Sequence, residues 1–510
     1  MIRPTCCGKN MHKICKTRHG KQRYRCSSCE RTTTGLKVTA DDAVIKTQKK
    51  NATNVRSDVK EGFKKFVVTC AQNNTEVDLH FLATLKKYCE VNHATLIVIA
   101  THYKNISAFT TNQEYKKWWP SEILPYLTES RLDLGGNIVV RGDVRIACTT
   151  LNPLTGKEPI EGDKWTIYGH PQFALEPVSC PKNRIPKHMY TTGCITKKNY
   201  SKTNLGVRAG FHHVTGALIV EVKGSKSFVR QLNAGKDGDF YDLEHHYFPY
   251  KRRKKENILA LIPGDEHVKF NHPKVREITY DAPHSMVNVL KPKYIVRHDV
   301  LDGYAGSHHH LKDNVIRYVK FITGDNDYRK ELDEAVNFIN DTTPDFSTTL
   351  IVDSNHHDHI DKWLNKVDYK EDHINAVLIL ELVKKQYENA ESGKTTKAFL
   401  IYLEEHLKCN YKFLDVNEPF LIGGIGVEQH GHIGTNGSRG SARGLAKTTA
   451  KLIIGHGHGE RIVRGVYQVG VSTGVMNYEK GMGDHGHAHG IIYANGKRAI
   501  ITLMGNEYRS

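Results

Sequence analysis

Four apolar runs in the second half of this 510-residue chain end directly on residue types that bind divalent cations: "LIPGDEH", "IVRHDVLD", "LIVDSNHH" and "LIIGHGH". A fifth group, "EQHGH", follows a glycine-rich run. Asp265 and His267 are two residues apart, so on an extended strand end they point to the same side. One carboxylate and one imidazole make a mixed O/N pair suited to Mn²⁺, Fe²⁺ or Zn²⁺. Asp299 supplies a second carboxylate, which can bridge two cations about 3.5–4 Å apart. Asn355 offers a neutral amide oxygen, and His356 beside it can face a substrate. His430 and His456 supply imidazoles to a second cation, and His458 returns to the first. Glycines around 455–459 let backbone and rings crowd close to an ion. Taken singly, D-x-H, S-N-H and H-G-H are ordinary loop residues. Their joint order, each after a predicted strand, reads as one dinuclear metal site.

The elements that must bring them together are legible as pattern. From Ile258 onward, "ILALIPGDEH", "PKYIVRHD" and "TTLIVDSNHH" read as strand then loop, "DEAVNFIND" and "HINAVLILELVKKQYENA" as helices, and "PFLIGGIGVEQHGH", "AKLIIGHGHG" and "RGVYQVGVST" as strand-like runs. In open α/β sheets, ligands bind beyond the carboxyl ends of strands, where these groups lie. Upstream, "FVVTC", "VDLHFLATLKKYCEV" and "TLIVIAT" predict a strand–helix–strand unit with a parallel pair. "GNIVVRGDVRIACTT" and "GALIVEVKG" predict further strands, and the charge run "YKRRKKEN" predicts a domain boundary. We see no repeat of solenoid period. The expected organisation is a small basic unit at 1–35, a linker at 36–60, an α/β accessory domain at 61–255 and a metal-binding domain at 256–510.

Composition bounds the reading. Hydrophobic residues make up 39% of the chain, and no run of about 18 apolar residues predicts a membrane helix. The opening "MIRPTCCGKN" has no apolar h-region, so we expect no secretory signal and a cytoplasmic protein. A formal net charge of +18 favours a polyanionic partner, most simply DNA. Five of the eleven cysteines fall within residues 6–29, a pattern of one metal-bound cluster rather than a disulfide framework.

The ordered ligand set resembles the calcineurin-like metallophosphoesterase superfamily, whose signature is D-x-H, G-D, G-N-H-[DE], H and G-H-x-H. The resemblance covers roughly residues 258–505. It implies a β-sandwich flanked by helices, with Asp265, His267, Asp299, Asn355, His430, His456 and His458 as metal ligands and His356 as the catalytic histidine. Two departures stand out. "RHD" replaces G-D, so Asp302 competes with Asp299 for the bridging role, and in "SNHHDH" His357 or Asp358 takes the place of the family's acidic residue. The stretch from "FVVTCAQNNT" to "GHGHGERI" is similar to phage-encoded, host-DNA-degrading nucleases of the SbcD-type branch. By that resemblance the expected enzyme is a metal-dependent DNase using two divalent ions, Mn²⁺ first. If the chain is phage-encoded, its place is the host cytoplasm. Rival readings are a phosphatase on nucleotides or phosphoproteins, and a DNA-binding regulator with a dead site. Arg439 and Arg443 in "GSRGSARG" are candidate contacts to flanking phosphates, weighed against an ordinary solvated loop.

At the N-terminus, "QRYRCSSCERT" carries Cys26-x2-Cys29, a metal knuckle similar to the zinc ribbon of insertion-sequence transposases. The remaining ligands to a structural Zn²⁺ must come from Cys6, Cys7, His12 and Cys15. Residues 61–250 carry no motif that converts to chemistry, and a surface shaping the DNA path or a homo-oligomer is the expectation there.

Overall fold

The computed structural model describes residues 63–103, 117–182, 184–251, 253–307, 310, 313–474, 476 and 481–509, with short stretches between 5 and 34. Two small antiparallel sheets occupy those N-terminal stretches. Cys7, Cys26 and Cys29 and the linker at 36–60 lie outside the described residues, whereas Cys6 and Cys15 fall in described strand backbone.

The chain then makes three large sheets. The first has five strands in the order β10-β9-β1-β2-β3: β1 is Phe63–Gln72, β2 Ala94–Thr101, β3 Leu127–Thr128, β9 Gly216–Lys223 and β10 Lys226–Asn233. β1 and β2 are parallel, as their unbroken apolar character predicts. Helix α1 (Leu79–Asn92) crosses between them, started by Asp78, whose side chain accepts from the Phe81 N–H, and ended by His93 in the left-handed conformation. Alternate residues of β1 face opposite ways. Phe66, Val68 and Cys70 join the central core, while Val67 and Ala71 pack with Phe81, Leu82 and Leu85 of α1.

The second sheet has six strands, β14-β13-β12-β11-β20-β21, where β11 is Ala260–Ile262, β12 Tyr294–Arg297, β13 Thr348–Val352, β14 Tyr411–Leu414, β20 Ala488–Ile492 and β21 Arg498–Thr502. β11 to β14 are parallel neighbours. Val296 and Leu350 point to the central core. Ile351 points to the helices α2 (Tyr328–Thr342), α3 (Ala376–Glu391) and α4 (Ala398–His406).

A ten-stranded sheet, β15-β16-β17-β19-β18-β7-β8-β6-β5-β4, packs against both. β4 is Arg131–Gly135, β5 Ile138–Arg141, β6 Trp165–Tyr168, β7 Ala174–Val178 and β8 Lys187–Thr191. β15 is Leu421–Ile422, β16 Ile425–Gly426, β17 Leu452–Ile454, β18 Arg461–Val463 and β19 Val466–Gln468. Strands from either side of the charge run at 250–257 thus share one sheet. Lys254–Lys255 of that run are themselves a short strand paired with His245–His246.

The order of this sheet is a palindrome. Each half is an antiparallel hairpin (β4–β5; β15–β16), a parallel pair (β5–β6; β16–β17), a second parallel pair (β6–β8; β17–β19) and an antiparallel partner (β7–β8; β18–β19). The halves meet where β7 and β18 run antiparallel, with Leu175 opposite Ile462. The five- and six-stranded sheets share the same plan. A parallel pair leads (β1–β2; β11–β12), and a hairpin (β9–β10; β20–β21) pairs antiparallel with its first strand. Residues 63–233 and 260–502 are therefore two copies of one module, too far apart in sequence to register as a short-period repeat. Hydrogen bonds fix the equivalence. The Asp265 N–H donates to Gly470 O and Asp265 O accepts from Ser472; the Cys70 N–H donates to Gly193 O and Cys70 O accepts from Ile195.

Candidate metal centre

Every strand-end group lies at one edge of the second module. Asp265 follows β11, Asp299 follows β12, Asn355 and His356 follow β13, and His456 and His458 follow β17. Ligand atoms of Asp265, His267, Asp299 and His458 all lie within 4.8 Å of one another. Around this group, His458 Nε2 is 3.7 Å from Asp265 Oδ2, and His267 Nε2 is 3.7 Å from Asp299 Oδ2. His430 Nε2 is 3.1 Å from that same Asp299 oxygen, and the His430 and His456 rings are 5.2 Å apart. Asp265, His267, Asp299 and His430 are wholly buried. Among the described residues, Asp265 Oδ1, Asp299 Oδ1 and Asn355 Oδ1 are buried with no hydrogen-bond partner. Buried oxygens are left this way at a cost of about 1–3 kcal/mol each unless something else fills them. A cation is the partner that this donor set suits.

The backbone is bent to make the arrangement. Twelve described non-glycine residues have positive φ, and four are His267 (33°), Asp299 (43°), His456 (68°) and His458 (56°). Such conformations cost on the order of 1–3 kcal/mol each and gather where function fixes the geometry. Gly455 is needed for a different reason. A Cβ there would stand 2.1 Å from Asp265 Oδ1 and 3.0 Å from His298 Cγ. Gly455→Ala is expected to displace the Asp265 carboxylate and to cost about 1–3 kcal/mol through overpacking. Urea denaturation and the cleavage assay below measure the two effects.

Electrostatics follow from burial among mixed charges. Burial opposes the charge on Asp299, but His430, His356 and His267 overcome it and hold the carboxylate well below its usual range. Burial raises Asp265, and Asp299 adds to this against the neighbouring imidazoles. His267 would be lowered by burial, yet Asp302, Asp299 and Asp265 push it up to about 9. Burial and the neighbouring His430 bring His456 down to about 4, so it stays a neutral donor.

Asp299 belongs to the four-residue group, whereas Asp302 forms a second cluster that could hold a cation with His267 and His356. Asp302 has its Oδ1 2.9 Å from His267 Nδ1. Its backbone oxygen accepts from His356 Nδ1 at 2.8 Å, which fixes that ring's orientation. His357 Nε2 accepts the Val300 N–H and so supports the Asp299 loop, whereas Asp358 faces Lys397 at 3.6 Å. Glu266 turns away from the group into a buried pair with Arg297 (2.8 Å). The sequence reading missed three histidines. His298 contacts His430 (Nδ1 to Nδ1, 3.4 Å), and His432 and His485 flank His456 and His458. The only sequence signals for the last two were the H-G-H repeats at 430–432 and 485–487. Of the two arginines, Arg443 is bound to Glu176 of β7 at 2.7 Å and Arg439 is exposed.

Among its described residues the first module carries no such set. Cys70 stands where Asp265 does, and Gln72, two residues on, where His267 does. The matching ladders β6–β8 and β17–β19 place His170 and Gln172 at the positions of His456 and His458. Among the described residues, groups fit to hold a cation occur only in the second module.

Comparison with known proteins adds one match. The chain is 31% identical over 470 residues to Protein A1 of Escherichia phage T5, covering 88% of this chain and 84% of that protein. No family model matches. No solved structure matches.

Proposed function

The chain belongs to the family of Protein A1 of Escherichia phage T5, and from that premise we propose that it is a metal-dependent deoxyribonuclease of the metallophosphoesterase type, phage-encoded and acting on host DNA. The observation that carries this reading is the buried convergence of Asp265, His267, Asp299 and His458, with His430, His456 and Asn355 around them and carboxylate oxygens left without partners. A net charge of +18 supports DNA as the substrate.

Two divalent ions, when bound, would supply an activated water and positive charge facing the phosphate. The residues divide the rest. Asp299, whose Oδ2 is 3.7 Å from His267 Nε2 and 3.1 Å from His430 Nε2, would help to hold both ions. His356 is held by its Nδ1–H bond to Asp302 O; with its second ring nitrogen also protonated, Nε2–H would give the leaving oxygen a proton or a hydrogen bond. The rigid, left-handed turns at 267, 299, 456 and 458 keep the donors placed before substrate arrives, so little reorganisation is needed during reaction. In the N-terminal cluster we place a structural Zn²⁺ on Cys26 and Cys29 with partners from Cys6, Cys7, His12 and Cys15.

The test is incubation of chelator-treated protein with linear duplex DNA, circular duplex DNA, bis(p-nitrophenyl) phosphate and a phosphate monoester, with and without Mn²⁺. Mn²⁺-dependent cleavage of DNA and of the diester is expected. Hydrolysis of the monoester alone would replace the nuclease reading with a phosphatase.

A further inference from the structure

A cavity of about 650 Å³ opens between the two modules beside the metal centre. We propose that it binds one nucleotide of the DNA strand next to the scissile phosphate, with the base inside and its phosphate at the mouth. The proposal rests on the nuclease reading for its place in the reaction, but not for its test.

Position is the first argument. The cavity wall includes Val471, whose backbone bridges to Asp265, and His485, whose ring is 5.1 Å from that of His458. A strand whose phosphate sits on the metal centre therefore has the cavity within one nucleotide's reach. The opposite wall comes from the first module, from the β4–β5 turn at Gly136–Asn137, from Trp165, from Arg184, Ile185 and Pro186, and from His188 of β8. The module without metal ligands thus completes a pocket for the module that has them.

Chemistry is the second argument. The volume lies within the roughly 300–1,000 Å³ of small-molecule-sized sites, and its walls are mainly apolar. Trp165 is held rigid there, edge-on to His188 at 4.3 Å and bonded through Nε1 to Pro186 O. The acidic side chain on the wall, Glu460, is wholly buried 2.9 Å from His188 and lies against Gly486. Exposed Arg184 and Lys274 stand at the rim. A free phosphate leaves the apolar walls unused, and a purely apolar ligand leaves the cations unused. A nucleotide uses both.

Ile185 lines the cavity yet is 68% exposed, so it can be changed with little risk to the fold. The experiment compares native protein with Ile185→Glu, Lys274→Gln and a charge-matched control, Leu421→Glu, which is 65% exposed on the distant edge strand β15. Binding of a fluorescein-labelled single strand of about twelve nucleotides is read by anisotropy in EDTA, so hydrolysis plays no part. Ile185→Glu is expected to weaken binding about tenfold and Lys274→Gln about threefold, with Leu421→Glu near native. Equal weakening by Ile185→Glu and Leu421→Glu, or none by either, overturns the cavity site. Hydrolysis of bis(p-nitrophenyl) phosphate, measured in parallel, separates the two claims. Its absence in the native protein counts against the nuclease reading, while the anisotropy comparison still decides the cavity.

Discussion

Asp265→Asn is expected to lower Mn²⁺-dependent DNA cleavage by about 10³-fold or more, the scale of losing a cation's ligand and its electrostatic contribution together. The substitution is nearly isosteric. Asp265 Oδ2 accepts the His456 N–H at 2.7 Å, a bond that the amide oxygen of asparagine can keep, and the backbone bonds to Gly470 and Ser472 do not involve the side chain. What is lost is the charge and the Oδ1 donor, the oxygen with no partner in the protein. Removing a buried charge that burial already opposes should leave the protein as stable as before or more so when no metal is present. Loss of cleavage with an unchanged denaturation midpoint in EDTA is the expected pair of results. Retention of more than about a tenth of native turnover would mean that Asp265 is not a ligand to a working cation.

His356→Ala should reduce kcat by about 10²–10³-fold with KM for DNA little changed. His356 makes its bond to Asp302 and lies 4.6 Å from the His267 ring. It belongs to the smaller cluster with His267 and Asp302 and not to the group of Asp265, His267, Asp299 and His458, which holds the carboxylates of Asp265 and Asp299 with their unpartnered oxygens. Mn²⁺ affinity should therefore stay near native, which separates this variant from Asp265→Asn. The same variant distinguishes an enzyme from a DNA-binding regulator with an inactive site. A regulator would keep its function unaltered in His356→Ala, and no rate would be lost because none was there.

The site was more legible in the sequence than the fold. Asp265, His267, Asp299, Asn355 and His356 could be found because each follows a short β-branched run, and strand ends are where parallel sheets gather ligands. His456 and His458 stood out because glycines flank them, and at Gly455 a side chain would collide with Asp265 Oδ1. The choice between Asp299 and Asp302 could not be made from spacing, since either carboxylate follows β12 closely. In the structure Asp299, in a left-handed turn, joins Asp265 and His458, while Asp302 stands beside His267 Nδ1 in a cluster with His356. The duplication stayed hidden because what it preserves is hydrogen-bond register, not residue type. Cys70 for Asp265 and "GHPQ" for "GHGH" keep the backbone path while discarding the chemistry. The joint sheet stayed hidden as well, because the Leu175–Ile462 pairing links residues far apart in the chain by backbone bonds that no side chain announces. The charge run at 250–257 lies between the two modules, and its Lys254 and Lys255 form an exposed edge strand there.

The central claim is that residues at the strand ends of the second module form one centre for two divalent ions, and that the first module has none. Titrating chelator-stripped protein with Mn²⁺ and reading free ion by electron paramagnetic resonance tests it directly. About two tightly bound Mn²⁺ per chain in the native protein, and loss of this binding in Asp265→Asn, is the predicted outcome. Absence of saturable Mn²⁺ binding, or binding that survives Asp265→Asn unchanged, would contradict the account.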